Sequence, residues 1–529
     1  MSNFNFNDEE KINEKTLLIE INDDELSFRN LQDSNKKDAI KYLQCENTKS
    51  LFYQLIKLTN PFLQKSSIIP LRNNDMKKIY VLSSELEFFP VIGGINTFLR
   101  VIISELGKTE IHIKENVEFI FIGLQTKSSP KNIPKINGIT FKFFSTEKSK
   151  RCNSLINYFE FFGNYEELFK DLQNFGKSAM AWIEKDSIPG DIFISTIIYE
   201  INKDYLKALN KKGLKIIHTV HSLVPLKIIN TLFIERNTFK EKVFLFLFNY
   251  ILKFDENSIQ KICENFKLYK IIPLSALSSI FIEKYIMNIA QDIIVPSKKL
   301  SANLSKLYPD SKSKIRCIPW GLPEENIFGE PPIYYKERNK NEKQKIKCLV
   351  LSKISLQKGI DILLDSFIHI ENINPSIAKK LELNICGNQS YLKDEKFKEI
   401  IDKKWAKLNL VTKNFKGWIY GQDKIDILQN SDLFLLPSLI EPFGFCILEA
   451  MKAGLPIVSF NTEGPEDIIT NKFGRLVKIS TNYDTMAKDF GNAIIDIIQD
   501  ENFNELRKAS AEAIKNWDIK KLIEFIIEQ

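Results

Sequence analysis

Residues that build the commonest metal and redox centres are scarce in this chain. Across 529 residues there are four histidines and seven cysteines, the latter at 45, 152, 263, 317, 348, 386 and 446. They are odd in number, scattered and never in a Cys-x-x-Cys pair, which argues against a disulfide framework and spells out no metal site. The pattern fits reduced, buried thiols in a cytoplasmic setting. Long hydrophobic runs are missing too. The best, "VFLFLFNYIL" at 243–252, is about half of the ~20 residues a helix needs to cross a bilayer, so no transmembrane segment is expected. The N-terminus "MSNFNFNDEEKINEK" is polar and acidic, unlike a secretory signal. Charge of one sign does not dominate. A net +7 is too diffuse to argue for nucleic acid, though it suits an anionic small molecule.

What is present is the composition of a soluble globular protein, 44% hydrophobic and 27% charged. The length exceeds one ordinary core, so two large domains are expected. Residues 1–75 read as a separate N-terminal extension, with helices expected around "KKDAIKYLQ" and "LFYQLIKL" and no chemistry of their own. From residue 77, short apolar runs alternate with helical patterns: "KKIYVLSS", "VEFIFIGL", "GDIFIST", "LKIIHTVHS", "AQDIIVPS". After a Pro- and Lys-rich linker at 329–345 the alternation resumes with "IKCLVLSK", "LELNICG", "VTKNFKGW", "DLFLLPS", "PIVSF" and "RLVKI". Such alternation predicts an α/β fold of two doubly wound, Rossmann-like domains, 76–328 and 346–510, with a helical insertion near 225–285 and a helical tail at 511–529. Ligands of such sheets bind at the carboxyl ends of the strands, here the cleft between the domains.

The densest chemistry lies in "EPFGFCILEAMKAGLP", residues 441–456. Glu441 sits on a strand-end loop, and a helix is expected to begin near Phe443. Amides at Gly444 and Phe445 then face a phosphate, and Glu449 faces a ribose diol. Lys353 and Lys358, in "SKISLQKG", follow another strand and face the same cleft, where a cation stabilises a departing anion. In the first domain Gly93 and Gly94 precede a helix, again an anion-binding arrangement. His221 ends the strand "IIHTVHS".

In this order and spacing the motifs resemble those of the GT-B glycosyltransferases, particularly the bacterial glycogen and starch synthases and the large retaining family related to them. The resemblance spans roughly 76–529 and is most specific over 432–475. Glu441 and Glu449 match the E-x7-E donor signature, with Pro442, Phe443, Gly444 and Phe445 between them. "SKISLQKG" looks like the phosphate-binding lysine motif, "SSELEFFPVIGG" like the synthase N-terminal loop, "HTVHS" like the strand-end histidine, and "IRCIPWGLP" like the stretch closing the first domain. Several positions depart from the synthase pattern. Val91 stands where a lysine is usual, Thr97 where an acid is, Lys353 where arginine is, and Trp320 and Pro323 replace an Asn and an Asp. An "HxHDW"-like stretch is replaced by "FISTIIY".

The resemblance implies a GT-B fold and transfer of a hexose, glucose being expected, from a UDP- or ADP-linked sugar. Anomeric configuration would be retained, with no obligatory metal or other cofactor. Lys353 and Lys358 would stabilise the leaving diphosphate, Glu441 and His221 would hold the sugar, and Glu449 the ribose. The acceptor is a glucan, or alternatively a protein or lipid; a non-catalytic GT-B binding subunit is the third reading. The nucleotide base, the acceptor and the oligomeric state are left open by these residues.

Overall fold

Parallel pairing follows from strands that are apolar on both faces. The computed structural model describes residues 16–22, 25–31, 76–87, 93–127, 133–162, 165–222, 274–323, 328, 333–335, 345–387, 395–480 and 482–529. The first large sheet has seven parallel strands. They are β3 (Lys77–Leu82), β4 (Val117–Leu124), β5 (Ile139–Phe144), β6 (Ile192–Ser195), β7 (Lys215–Thr219), β8 (Asp292–Val295) and β9 (Ile315–Cys317), ordered β5-β4-β3-β6-β7-β8-β9. The second has six: β10 (Ile346–Leu351), β11 (Leu381–Cys386), β12 (Thr412–Gly417), β13 (Leu433–Leu436), β14 (Ile457–Phe460) and β15 (Gly474–Val477), ordered β12-β11-β10-β13-β14-β15. In each sheet the order reverses beside the first strand of the domain, so β3 and β10 flank the switch points where ligand crevices form.

Two strands of the large sheets, β5 and β9, are absent from the sequence-based expectation. Both are edge strands. β5 shows only one buried residue in six and β9 spans three, so neither carries the continuous apolar run that marks a central strand. A further pair, β1 (Thr16–Asn22) and β2 (Glu25–Leu31), forms an antiparallel hairpin inside the N-terminal extension. The helices expected there lie outside the described residues.

The helices that matter here are α1 (Gly94–Thr109), α2 (Tyr165–Asp186), α3 (Leu274–Ile289), α4 (Lys298–Leu307), α5 (Ile360–Ile373), α6 (Gly421–Gln429), α7 (Phe445–Lys452), α8 (Glu463–Ile468) and α9 (Lys520–Glu528). Helix α3 buries Ile280, Phe281, Ile282, Ile286 and Met287 in the first domain's core. It covers the end of the insertion expected at 225–285, of which residues 225–273 lie outside the described residues.

The domains are held together by packing as well as by the chain crossing between them. One apolar cluster runs from Phe98 and Leu99 on α1 through Trp320 to Phe443, Phe445 and Leu448, and on to Leu522, Ile523 and Ile526 of α9. The last helix thus returns to the first domain, where α9 packs on α1. A Cβ at Gly321 would meet the Trp517 carbonyl at 2.2 Å, so the returning segment lies directly on the crossover. On the other side α4 meets α8, with the Lys298 amide donating to Asp467 and Lys299 paired with Glu466.

Candidate active site in the interdomain cleft

The loop after β13 builds the second-domain half. The expected helix start near Phe443 is corrected to Phe445, with Gly444 as its N-cap at φ 102°. The reason is local. Gly444 takes a left-handed conformation that L side chains avoid, and a Cβ there would meet Ile447 Cδ1 at 2.8 Å. Phe443 is therefore held outside the helix. Its backbone is clamped by Gly464, where a Cβ would lie 1.9 Å from the Phe443 carbonyl oxygen, while the Gly464 amide donates to the Glu441 carbonyl at 2.9 Å. No side chain caps α7, which leaves its first amides available to an anion.

Both acids of the E-x7-E segment meet lysines. Lys358, in the short turn before α5, places Nζ 2.7 Å from Glu441 Oε2. Burial lowers the Lys358 pKa, but Glu441 more than offsets this and raises it above the ordinary lysine value. Glu449, on the second turn of α7, accepts from Lys424 of α6 at 2.6 Å. Lys424 carries no motif and sits 25 residues away in sequence; only the packing of α6 beside α7 reveals it.

Across the cleft, Gly93 caps α1 in an extended conformation and Gly94 opens the helix. A Cβ on Gly94 would meet nothing among the described residues within 4 Å. A Cβ on Gly93 would lie 3.5 Å from Glu85 Oε2 and 3.8 Å from Lys353 Nζ. Lys353 of the second domain and Glu85 of the first thus converge on one point at the start of α1. Asn96 fixes the β3 loop in place, donating to the carbonyls of Glu85 and Glu87 at 2.7 Å each.

His221 lies at the seam between the domains. Its ring sits 4.8 Å from Phe98 and 4.6 Å from Trp320, and its Nε2 lies 3.3 Å from Thr219 Oγ1. Trp320 in turn stacks on Phe445 at 5.9 Å and meets Phe443 edge-on at 5.3 Å. Burial, aided by neighbouring His218, lowers the His221 pKa to about 3, and burial lowers that of His218 to about 4. Both imidazoles are neutral at pH 7. Trp320, a departure from the synthase pattern, is the centre of this aromatic contact and is 2% exposed; sequence reading gave it no role.

The structure therefore brings Lys358, Glu441, Pro442, Phe443, Gly444, Phe445 and Glu449 together on one side. Gly93, Gly94 and His221 stand opposite, with Lys353 reaching between. Among the described residues no three His, Cys, Asp or Glu side chains gather closely enough to hold a metal ion, and no helix is long and apolar enough to cross a membrane.

Comparison with known proteins adds the following. Residues 334–517 match the family described as "Glycosyl transferases group 1". A probable sucrose-phosphate synthase of Thermosipho melanesiensis is 30% identical over 205 residues, 35% of this chain and 44% of that one. The chain thus spans less than half of that relative's length. In solved structures the likeness is one of fold. Sucrose-phosphate synthase from Thermosynechococcus elongatus superposes with a TM-score of 0.57 at 18% identity, covering 83% of this chain and 94% of that one. Anabaena Alr3699/HepE, solved with UDP and glucose, gives 0.51 at 13% identity, covering 86% and 99%. The chain has the two-domain GT-B fold, and its second domain matches the group 1 glycosyl transferases.

Proposed function

We propose that the chain is a retaining glycosyltransferase that moves a hexose, with glucose the first candidate, from a nucleoside-diphosphate sugar to an acceptor hydroxyl. The observation that carries this reading is the Lys358–Glu441 contact at 2.7 Å beside the uncapped start of α7. A cation, a set of free helix amides and a sugar-directed carboxylate within one loop cluster form a site for a sugar diphosphate.

In this reading the diphosphate lies between the start of α7 and Gly94, with Lys358 and Lys353 against its oxygens. Glu449 takes the ribose diol. The bond from the sugar C1 to the diphosphate oxygen breaks as C1 bonds to the acceptor oxygen on the same face. The acceptor proton passes to the departing diphosphate. Negative charge grows on that leaving group; a lysine at ~4 Å contributes on the order of 4 kcal/mol at an effective dielectric of 20. The two lysines thus supply the stabilisation that a metal ion gives elsewhere, so no metal is required. The buried thiols of Cys348 and Cys386 suit a reducing, cytoplasmic setting.

The test is calorimetry of the full chain with UDP and ADP, followed by hydrolysis of the matching glucose donor in the presence of a chelator. Saturable binding and release of the α-anomer are expected. Absence of binding by any nucleoside diphosphate would overturn the reading.

A further inference from the structure

The start of α4 meets the second domain at three neighbouring points. Ser297, its N-cap, accepts from the Leu300 amide at 3.2 Å and turns its hydroxyl to the Pro442 carbonyl at 3.5 Å. The Lys298 amide donates to Asp467, and Lys299 pairs with Glu466. Lys299 Nζ also lies 3.4 Å from Asn461 Oδ1. The first amides of a helix have no partner within it, and its dipole favours a carboxylate there. Asp467 meets both needs from across the domain boundary.

The same short helix that carries these two acids, α8, also holds the sugar-side loop. Gly464, at its opening, donates its amide to the Glu441 carbonyl at 2.9 Å. The Phe443 carbonyl oxygen comes so near that a Cβ on Gly464 would lie 1.9 Å from it. Pro465 and Ile468 are buried, which leaves α8 little room to move independently of its surroundings. A shift of α8 is therefore a shift of the Glu441 backbone, and Glu441 holds Lys358 at 2.7 Å. Glu449 is held from α6, by Lys424.

We propose that Glu466 and Asp467 are positioning residues: through them α4 of the first domain sets the Glu441 loop, so that Glu441 and Lys358 stand correctly only while α4 and α8 are in contact. The reaction being positioned rests on the glycosyltransferase reading; the coupling itself rests on these contacts alone. Domain contact thus has its consequence at the reacting end of the donor, while the nucleotide end keeps its grip through Glu449. The Lys299–Glu466 pair is the part open to substitution, its side chains 29% and 42% exposed.

The experiment is amide hydrogen exchange by mass spectrometry on the full chain, with UDP affinity and turnover of UDP- and ADP-glucose measured in the same samples. Glu466→Lys sets like charges against each other at the contact. Exchange over 441–447 and 461–468 should rise by about threefold or more, the scale of an exposed ion pair, while β10 and β11 keep their rates. Turnover should fall by about three- to tenfold, with UDP affinity held within about twofold. Combining Lys299→Glu with Glu466→Lys restores the pair in reverse and should recover both exchange and turnover, which a loss of stability alone would not give. If Glu466→Lys folds poorly, Lys299→Met should act in the same direction at smaller size. Unchanged exchange at 441–447, a rise spread equally over β10 and β11, or no recovery in the double variant would overturn the proposal. A wild type that turns over neither donor, with these exchange changes present, would instead strike the proposed function and leave the coupling standing.

Discussion

Lys358 Nζ lies 2.7 Å from Glu441 Oε2, although 83 residues separate them in sequence. Each is partly exposed, 26% and 13% for the side chains, so the contact is open to a ligand from the cleft. A bound diphosphate would share the lysine with the carboxylate.

Lys358→Ala should therefore reduce turnover by about 10²–10³, the range for removing one charge-stabilising donor, and shift the thermal midpoint little. The sign of the pH effect can be worked out. The folded pKa of Lys358 is raised above the ordinary lysine value of 10.5, so its contribution is fully present below that value and is lost only as pH rises through the folded pKa. Turnover between pH 6 and 9 should show no step from this group. Steady-state kinetics across that range, with wild type and variant side by side, check both statements.

Glu449→Ala should act on binding. Hydrogen bonds to a charged group contribute about 1.5–3 kcal/mol, so nucleoside diphosphate affinity should fall by roughly 10- to 150-fold while the fold persists. Lys424→Met removes only the partner that orients Glu449, and a smaller loss is expected. Calorimetry with the preferred nucleotide ranks the two; a larger effect from Lys424 would reverse their roles.

Glu200 offers a pH signature inside the first domain. It is fully buried; its Oε1 accepts from the Ser84 amide at 2.6 Å and its Oε2 has no hydrogen-bond partner among the described residues. Burial lifts its pKa to about 8 despite the Ser84 hydrogen bonds, which act to lower it. Between the ordinary carboxylate range and about pH 8 the folded state holds a proton the unfolded chain has released, so stability falls as pH rises. Glu200→Gln should remove that decline and raise the thermal midpoint more at pH 8 than at pH 5. His218 and His221 act at the other end. Their lowered values mean that stability falls as pH drops from about 6.5 toward about 4 for His218 and about 3 for His221. Urea unfolding at pH 5, 6.5 and 8 separates the two trends.

Trp320 tests the seam between the domains. Its indole N–H is buried without an acceptor among the described residues, while its rings contact Phe98, His221, Phe443 and Phe445. Trp320→Ala should cost about 3–5 kcal/mol. Trp320→Phe keeps much of the packing and deletes the orphaned donor, so its cost should be distinctly smaller. Denaturant midpoints decide; equal losses would mean that the packing of the indole's outer ring dominates.

The sequence by itself determined the fold class and the local placement of the Glu441–Glu449 segment. Buried parallel strands must be apolar on both faces, so eleven of the thirteen strands in the two large sheets are visible as continuous runs such as "VEFIFIGL" and "DLFLLPS". The placement of Glu441 on a strand-end loop and of Glu449 on the helix after it is equally legible, because a strand, a turn and a helix follow one another within a few residues. Tertiary structure decided everything that depends on contacts distant in sequence. The half-exposed edge strands β5 and β9 have no strong local pattern and are fixed by pairing with β4 and β8. Lys424 reaches Glu449, Trp320 takes the seam, and α9 returns to α1, all through packing between elements far apart in the chain. A cavity beside His221 is the clearest case. Its lining comes from three strand ends and the helices over them, and no stretch of sequence contains it.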